Sequence, residues 1–137
     1  MARAKMGGSH GWNGNYVESA TASFSLAPAD AGKTFILKDA AVTVTLPALS
    51  DINAGYQVTI ISGDGEEHVV NGGAAVMQGY NIVGDMADGA GSGTIVPIAN
   101  KTSLTLTAGA AGDKLEFISD GVNWYSYSIT ADAVTQA

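Results

Sequence analysis

The chain has 137 residues, about one domain, which is long enough to bury a core without covalent staples. It has no cysteine, so disulfides, thiolate metal sites and cysteine nucleophiles are excluded. Of its six basic residues, Arg3 and Lys5 fall in the first five positions. The remainder carries four bases against all 13 acids, a balance that repels phosphate backbones and speaks against nucleic acid as a partner.

Residues 1–15 (MARAKMGGSHGWNGN) have no hydrophobic period and read as an N-terminal arm with one large apolar group, Trp12. Their basic start has no apolar stretch behind it, unlike a secretory signal. No segment approaches the ~18 apolar residues of a membrane span. A soluble chain made in a cytoplasm, with no membrane partner, is expected.

From Tyr16 onward, short alternating runs follow one another between turn signals. Residues 16–26 alternate loosely. Residues 33–38 (KTFILK), 42–46 (VTVTL) and 56–62 (YQVTIIS) are cleaner, each rich in β-branched or aromatic residues. Residues 63–67 (GDGEE) read as a hairpin turn returning into 68–70. Residues 71–93 are glycine-rich and read as an extended loop with a short strand near 80–83. Residues 94–99, 103–107, 114–119 and 123–129 complete the set, the last two joined by Asp120-Gly121, a strong hairpin signal. The pattern predicts an all-β fold: an antiparallel β-sandwich or jelly roll of about eight or nine short strands over residues 16–131. The arm precedes it and a tail, 132–137, follows. Ala-Gly recurs after a strand end at 31–32, 54–55 and 111–112. Because the spacings differ, this reads as repeated turn chemistry more than a solenoid repeat.

Catalytic and cofactor signals are weak. Gly32-Lys33-Thr34 matches the end of a phosphate-binding loop, but residue 27 is Ala where that loop needs Gly, and strand residues follow. Gly89–Gly93 lacks the strand-turn-helix context of a dinucleotide site. Asp64, Glu66 and Glu67, and separately Asp85 and Asp88, do not match the spacing of a calcium loop. His10 and His68 belong to no recognisable triad. No catalytic residue, metal site or cofactor is assigned, and a binding protein, not an enzyme, is expected.

The run Lys114-Leu115-Glu116-Phe117-Ile118-Ser119-Asp120-Gly121-Val122-Asn123-Trp124-Tyr125 resembles the closing hairpin of small β modules in tailed-bacteriophage structural proteins. Thr43-Val44-Thr45-Leu46-Pro47, followed by Ala54-Gly55-Tyr56-Gln57-Val58-Thr59-Ile60, is similar to the opening of the same modules. The resemblance spans roughly residues 24–129 and implies one of two roles. The first is a capsid decoration (cement) protein on the head exterior, binding the major capsid protein and tying capsomers together as a homodimer or homotrimer. A single domain without coiled-coil heptads favours this role. The second is a tail-fibre or baseplate module binding a host receptor or glycan, with Trp124, Tyr125 and Tyr127 as candidate contacts. Arg3, Lys5 and Trp12 on the arm, which matches no family motif, are expected protein-binding residues. So are Met77, Tyr80, Ile82 and Met86 in the glycine-rich stretch.

Overall fold

A computed structural model describes residues 16–84, 93–106 and 111–137. Through these run β1 (Val17–Ala20), β2 (Phe24–Ser25), β3 (Thr34–Leu37), β4 (Thr43–Thr45), β5 (Gln57–Ser62) and β6 (His68–Asn71). They are followed by β7 (Met77–Val83), β8 (Thr94–Lys101), β9 (Ser103–Leu106), β10 (Lys114–Ser119), β11 (Trp124–Thr130) and β12 (Thr135–Gln136). Helix among the described residues is confined to two 3-10 turns, Pro28–Asp30 and Leu49–Asp51. The fold is all-β, as composition predicts. Its strands form a seven-stranded sheet, β1-β3-β5-β10-β11-β7-β8, and a five-stranded sheet, β12-β9-β6-β4-β2.

The first half of the chain is wound. Successive strands from β1 to β7 alternate between the sheets. Thus β1, β3 and β5 are parallel neighbours in one sheet, while β2, β4 and β6 are parallel neighbours in the other. This departs from the antiparallel arrangement expected from sequence. Parallel neighbours need a crossover, and here each crossover is a strand of the opposite sheet. Residues 63–67 are accordingly a corner between sheets and not a hairpin turn. The strands β8, β9 and β10 then run antiparallel to β7, β6 and β5. Only the β10–β11 hairpin forms as Asp120-Gly121 predicts. Residues 132–137 belong to the fold: Val134 is buried, β12 pairs with β9, and the Ala137 carbonyl accepts from Thr102 N–H at 2.6 Å.

The Ala-Gly echo has a backbone cause. Gly32, Gly55 and Gly112 all take positive φ, at 83°, 91° and 104°, a region that L side chains rarely occupy. The first two corners belong to adjacent turns of the winding, since Gly32 N–H donates to the Gln57 carbonyl at 2.7 Å and Thr34 is in register with Thr59. For these two copies the echo is the winding repeat. Each corner holds a three-residue 3-10 turn, Pro28–Asp30 and Leu49–Asp51, and the second is longer because extra residues flank its turn.

Side chains from both sheets meet in one core, with Leu37, Val44, Ile60, Val70, Leu104, Leu115 and Trp124 fully buried. Trp124 meets Tyr56 edge-on, with ring centroids 5.6 Å apart. The Tyr56 hydroxyl donates to the Ala27 carbonyl at 2.9 Å, and burial pushes its pKa up to about 12. This ties one set of corners to the core.

A second clasp holds the opposite corners. His68 is fully buried, and its Nδ1 accepts from Val42 N–H at 3.3 Å. Nε2 is therefore the protonated nitrogen, and it donates to Asp64 Oδ1 at 3.0 Å. The Asp64 carboxylate also accepts from Glu66 N–H at 3.0 Å and Asp39 N–H at 2.5 Å. The Glu66 amide, with the Asp39 amide and His68 beside it, holds the Asp64 pKa below its ordinary value. A depressed carboxylate pKa contributes stability above the unfolded-state value, and that stability is lost as pH falls through the folded-state value. Thermal melts should therefore show a midpoint that drops below about pH 4. Asp64→Ala should lower the midpoint at pH 7 and flatten that acid limb. An unchanged acid limb in the variant would remove Asp64 from this role.

Candidate functional site

The outer face of the seven-stranded sheet is built from two rows of residues that cross its strands. Along one row, Ile95, Ile82, Ile129, Lys114, Ile61, Ile36 and Ser19 are successive register partners. Along the next lie Pro97, Tyr80, Tyr127, Glu116, Thr59, Thr34 and Val17. Five large side chains on β7, β8 and β11 stay about half exposed: Tyr80 (51%), Ile82 (46%), Ile95 (65%), Tyr127 (52%) and Ile129 (56%). Together they present on the order of 400–500 Å² of apolar surface, near the upper end of what a monomer leaves bare.

This patch exists because β7 and β11 are patterned inside out. In β11 the inward residues after Trp124 are Ser126, Ser128 and Thr130, all buried, while Tyr125, Tyr127 and Ile129 face out. In β7 the buried residue between Tyr80 and Ile82 is Asn81. The inner side is occupied by the C-terminal segment. Asn81 Nδ2 donates to Thr130 Oγ1 at 2.8 Å, and Asn81 Oδ1 accepts from Val134 N–H at 2.9 Å. Thr130 Oγ1 donates in turn to the Asp132 carbonyl at 2.6 Å. Backbone that lies this close leaves space for hydroxyl and amide groups but not for large apolar ones. The large residues are on the solvent side.

At the centre of the face, on β10, Lys114 Nζ and Glu116 Oε1 are 3.1 Å apart, with side-chain exposures of 35% and 51%. Beside Glu116 lies a shallow depression of about 200 Å³ lined by Gln57, Thr59, Ile118 and Tyr127, among others. Tyr125 lies on the same outer face, and its pKa is raised by its hydrogen bond with the Asp120 carboxylate.

The residues expected from sequence divide three ways. Tyr80 and Ile82 lie on the exposed face, whereas Met77 is fully buried in the core and offers no surface. Arg3, Lys5, Trp12 and Met86 lie outside the described residues, as do His10, Asp85 and Asp88. Of the aromatics weighed for glycan contact, Trp124 is buried and only Tyr125 and Tyr127 face outward. Sequence reasoning missed Ile95 and Ile129. The usable signal was the alternation in β11 of large residues with Ser, Ser and Thr, which leaves only one face able to carry apolar contact.

The other candidates are engaged in structure. Lys33 Nζ binds Glu18 Oε1 at 2.6 Å and Asp30 Oδ1 at 2.8 Å, and Thr34 opens a strand. Among the described residues no group of three or more His, Asp or Glu side chains is placed to hold a metal ion. None of their helices is long and apolar enough to cross a membrane. No protein-family model matches the chain, and no curated protein matches it in sequence.

Two substitutions test the inside-out account. The Ser126 hydroxyl is buried without a hydrogen-bond partner, so Ser126→Ala should be neutral or stabilise by up to about 1 kcal/mol. Asn81→Ala strands the Val134 amide and should cost about 2–3 kcal/mol. Chemical denaturation measures both. Equal effects would contradict the packing described.

Proposed function

We propose that this chain is a non-catalytic structural protein of a tailed-phage virion, a capsid decoration protein whose exposed sheet face is buried in the assembled particle. The observation that carries the reading is the inverted patterning of β7 and β11, with Asn81, Ser126, Ser128 and Thr130 inside and Tyr80, Ile82, Tyr127 and Ile129 outside. These two strands are parallel neighbours, so Tyr127 lies beside Tyr80 and Ile129 beside Ile82 in one continuous apolar strip, the kind of exposed patch that marks an interaction surface. The resemblance of residues 43–60 and 114–125 to phage β modules supplies the biological setting. The two sheets would stack as a sandwich-like body, with the N-terminal residues Arg3, Lys5 and Trp12 as further contacts to the major capsid protein. A protein that binds assembled shell more tightly than free subunits stabilises the shell by mass action. Many copies on one shell multiply a modest affinity.

A second reading has one observation behind it. Tyr127 borders the depression lined by Gln57, Thr59 and Glu116, and aromatic and polar groups together suit a sugar ring. A tail module that binds a host glycan would use that arrangement.

The test uses shells purified without the protein. Adding the full chain should give saturable co-sedimentation and greater resistance to heat and osmotic shock. Ile129→Lys and Tyr127→Lys, on exposed positions, should fold normally yet lose most of the effect. Shells equally resistant with and without saturating protein would end the decoration reading. Saturable binding to host polysaccharide alone would select the tail module.

A further inference from the structure

The exposed face is self-complementary, and we propose that its occupant is a second copy of this chain, packed face to face about a two-fold axis. The inference rests on the reading that this face is buried in the assembly, and it names the neighbour.

The argument begins with β10, the middle strand of the seven. Its outward residues include one base and one acid, Lys114 and Glu116, separated by the inward Leu115. Two faces can meet about a two-fold axis lying between them in either of two principal ways. An axis along the strands lays β10 on its copy in the same direction, so that Lys114 opposes Lys114 and Glu116 opposes Glu116. It also sets β11 and β7 over the copy's β5 and β3, so that Tyr127 and Tyr80 lie on Thr59 and Thr34 while Ile129 and Ile82 lie on Ile61 and Ile36. An axis across the strands at the level of Leu115 has the opposite result. Strand order is kept, strand direction is reversed, and the two rows exchange places. Ile95, Ile82 and Ile129 then cover the partner's Pro97, Tyr80 and Tyr127. At the centre Lys114 meets the partner's Glu116, and the depression beside Glu116 receives the partner's Lys114. Apolar contact is matched in part by the first arrangement and along both rows by the second, and only the second matches base with acid.

Size agrees with the arrangement. Seven strands at about 4.8 Å spacing and six residues at about 3.3 Å rise give a face of about 600–700 Å² in projection. That is comparable to the roughly 800 Å² each partner contributes to a standard stable interface. Sheets stacked face to face sit about 10 Å apart with their strands within about 30° of alignment, a gap that Tyr, Lys and Glu side chains span. A two-fold contact of this kind is closed, so it stops at two copies and leaves the rest of each chain free for the shell.

Sedimentation velocity over a concentration series, run on the full chain, provides the test. The wild type should sediment as a dimer. Lys114→Glu and Glu116→Lys should each weaken the dimer at least about tenfold, because each sets like charges opposite one another. Mixed in equal amounts, the two variants should recover a heterodimer, since every base then faces an acid. Circular dichroism confirms that each variant folds. A wild type that stays monomeric at several hundred micromolar would overturn the proposal, as would single variants that dimerise like the wild type or a mixture that does not associate. A monomer that still binds shells through Tyr127 and Ile129 would assign the face to the shell, overturning the dimer while leaving the function reading intact. A dimer that binds no shell would do the reverse.

Discussion

The strand β7 can lie against β11 only because residue 79 has no side chain. A Cβ at Gly79 would sit 1.9 Å from the Ser126 carbonyl oxygen, and its φ of 128° belongs to glycine. The register shift between Met77 and Gly79 against β8 marks the same point. Once β7 is admitted beside β11, the rest of this half of the molecule follows. Asn81 comes within reach of Thr130 and Val134, which fastens the C-terminal segment over the inner side. Tyr80 and Ile82 then have only the outer side, in register with Tyr127 and Ile129. The absence of one side chain thus makes the outward apolar face possible.

The other half of the chain depends on corners. In a strand that alternates between sheets, each change of sheet must turn the backbone sharply while keeping the next strand in register with the one two elements earlier. Gly32 and Gly55 provide that turn at one end. The Asp64 carboxylate, with three donors around it, does the equivalent work at the other. The winding would leave one side of β5 and of β6 unpaired. The later strands β10 and β9 cover those two edges in reversed direction, which avoids exposed edges that recruit other chains. On the outer strand β8, Pro97 removes one donor from the free edge.

How much of this was legible in the sequence follows from what alternation encodes. A period of two identifies a strand and its buried face, so KTFILK, VTVTL and KLEFIS were read correctly as elements. It says nothing about whether the neighbour runs parallel or antiparallel, and a Gly-Asp-Gly turn serves a corner as well as a hairpin. The winding was therefore hidden even though the Ala-Gly echo was visible. Within 77–83 the sequence reads as loop with a short strand only near 80–83, because Gly79 and Asn81 are poor strand formers. Backbone pairing on both sides, with β11 and β8, overrides that preference. The candidate surface was half legible: Tyr80 and Ile82 were singled out, but the segment's buried residue, Met77, was grouped with them because a loop has no inside.

Patterning of this kind bears on function through energy. Covering roughly 400 Å² of apolar surface is worth on the order of 10 kcal/mol by area, and association costs a comparable amount in lost freedom. A single such contact is therefore modest. It becomes decisive only where many copies act together, or where a symmetric pair doubles every favourable contact, as opposed charges two residues apart on a central strand allow. A bare apolar sheet face differs from the concave cleft with a few placed polar groups in which small molecules are bound. A protein whose work is to hold others in place gains from a flat face that carries both its apolar area and its charge pair in two exchangeable rows.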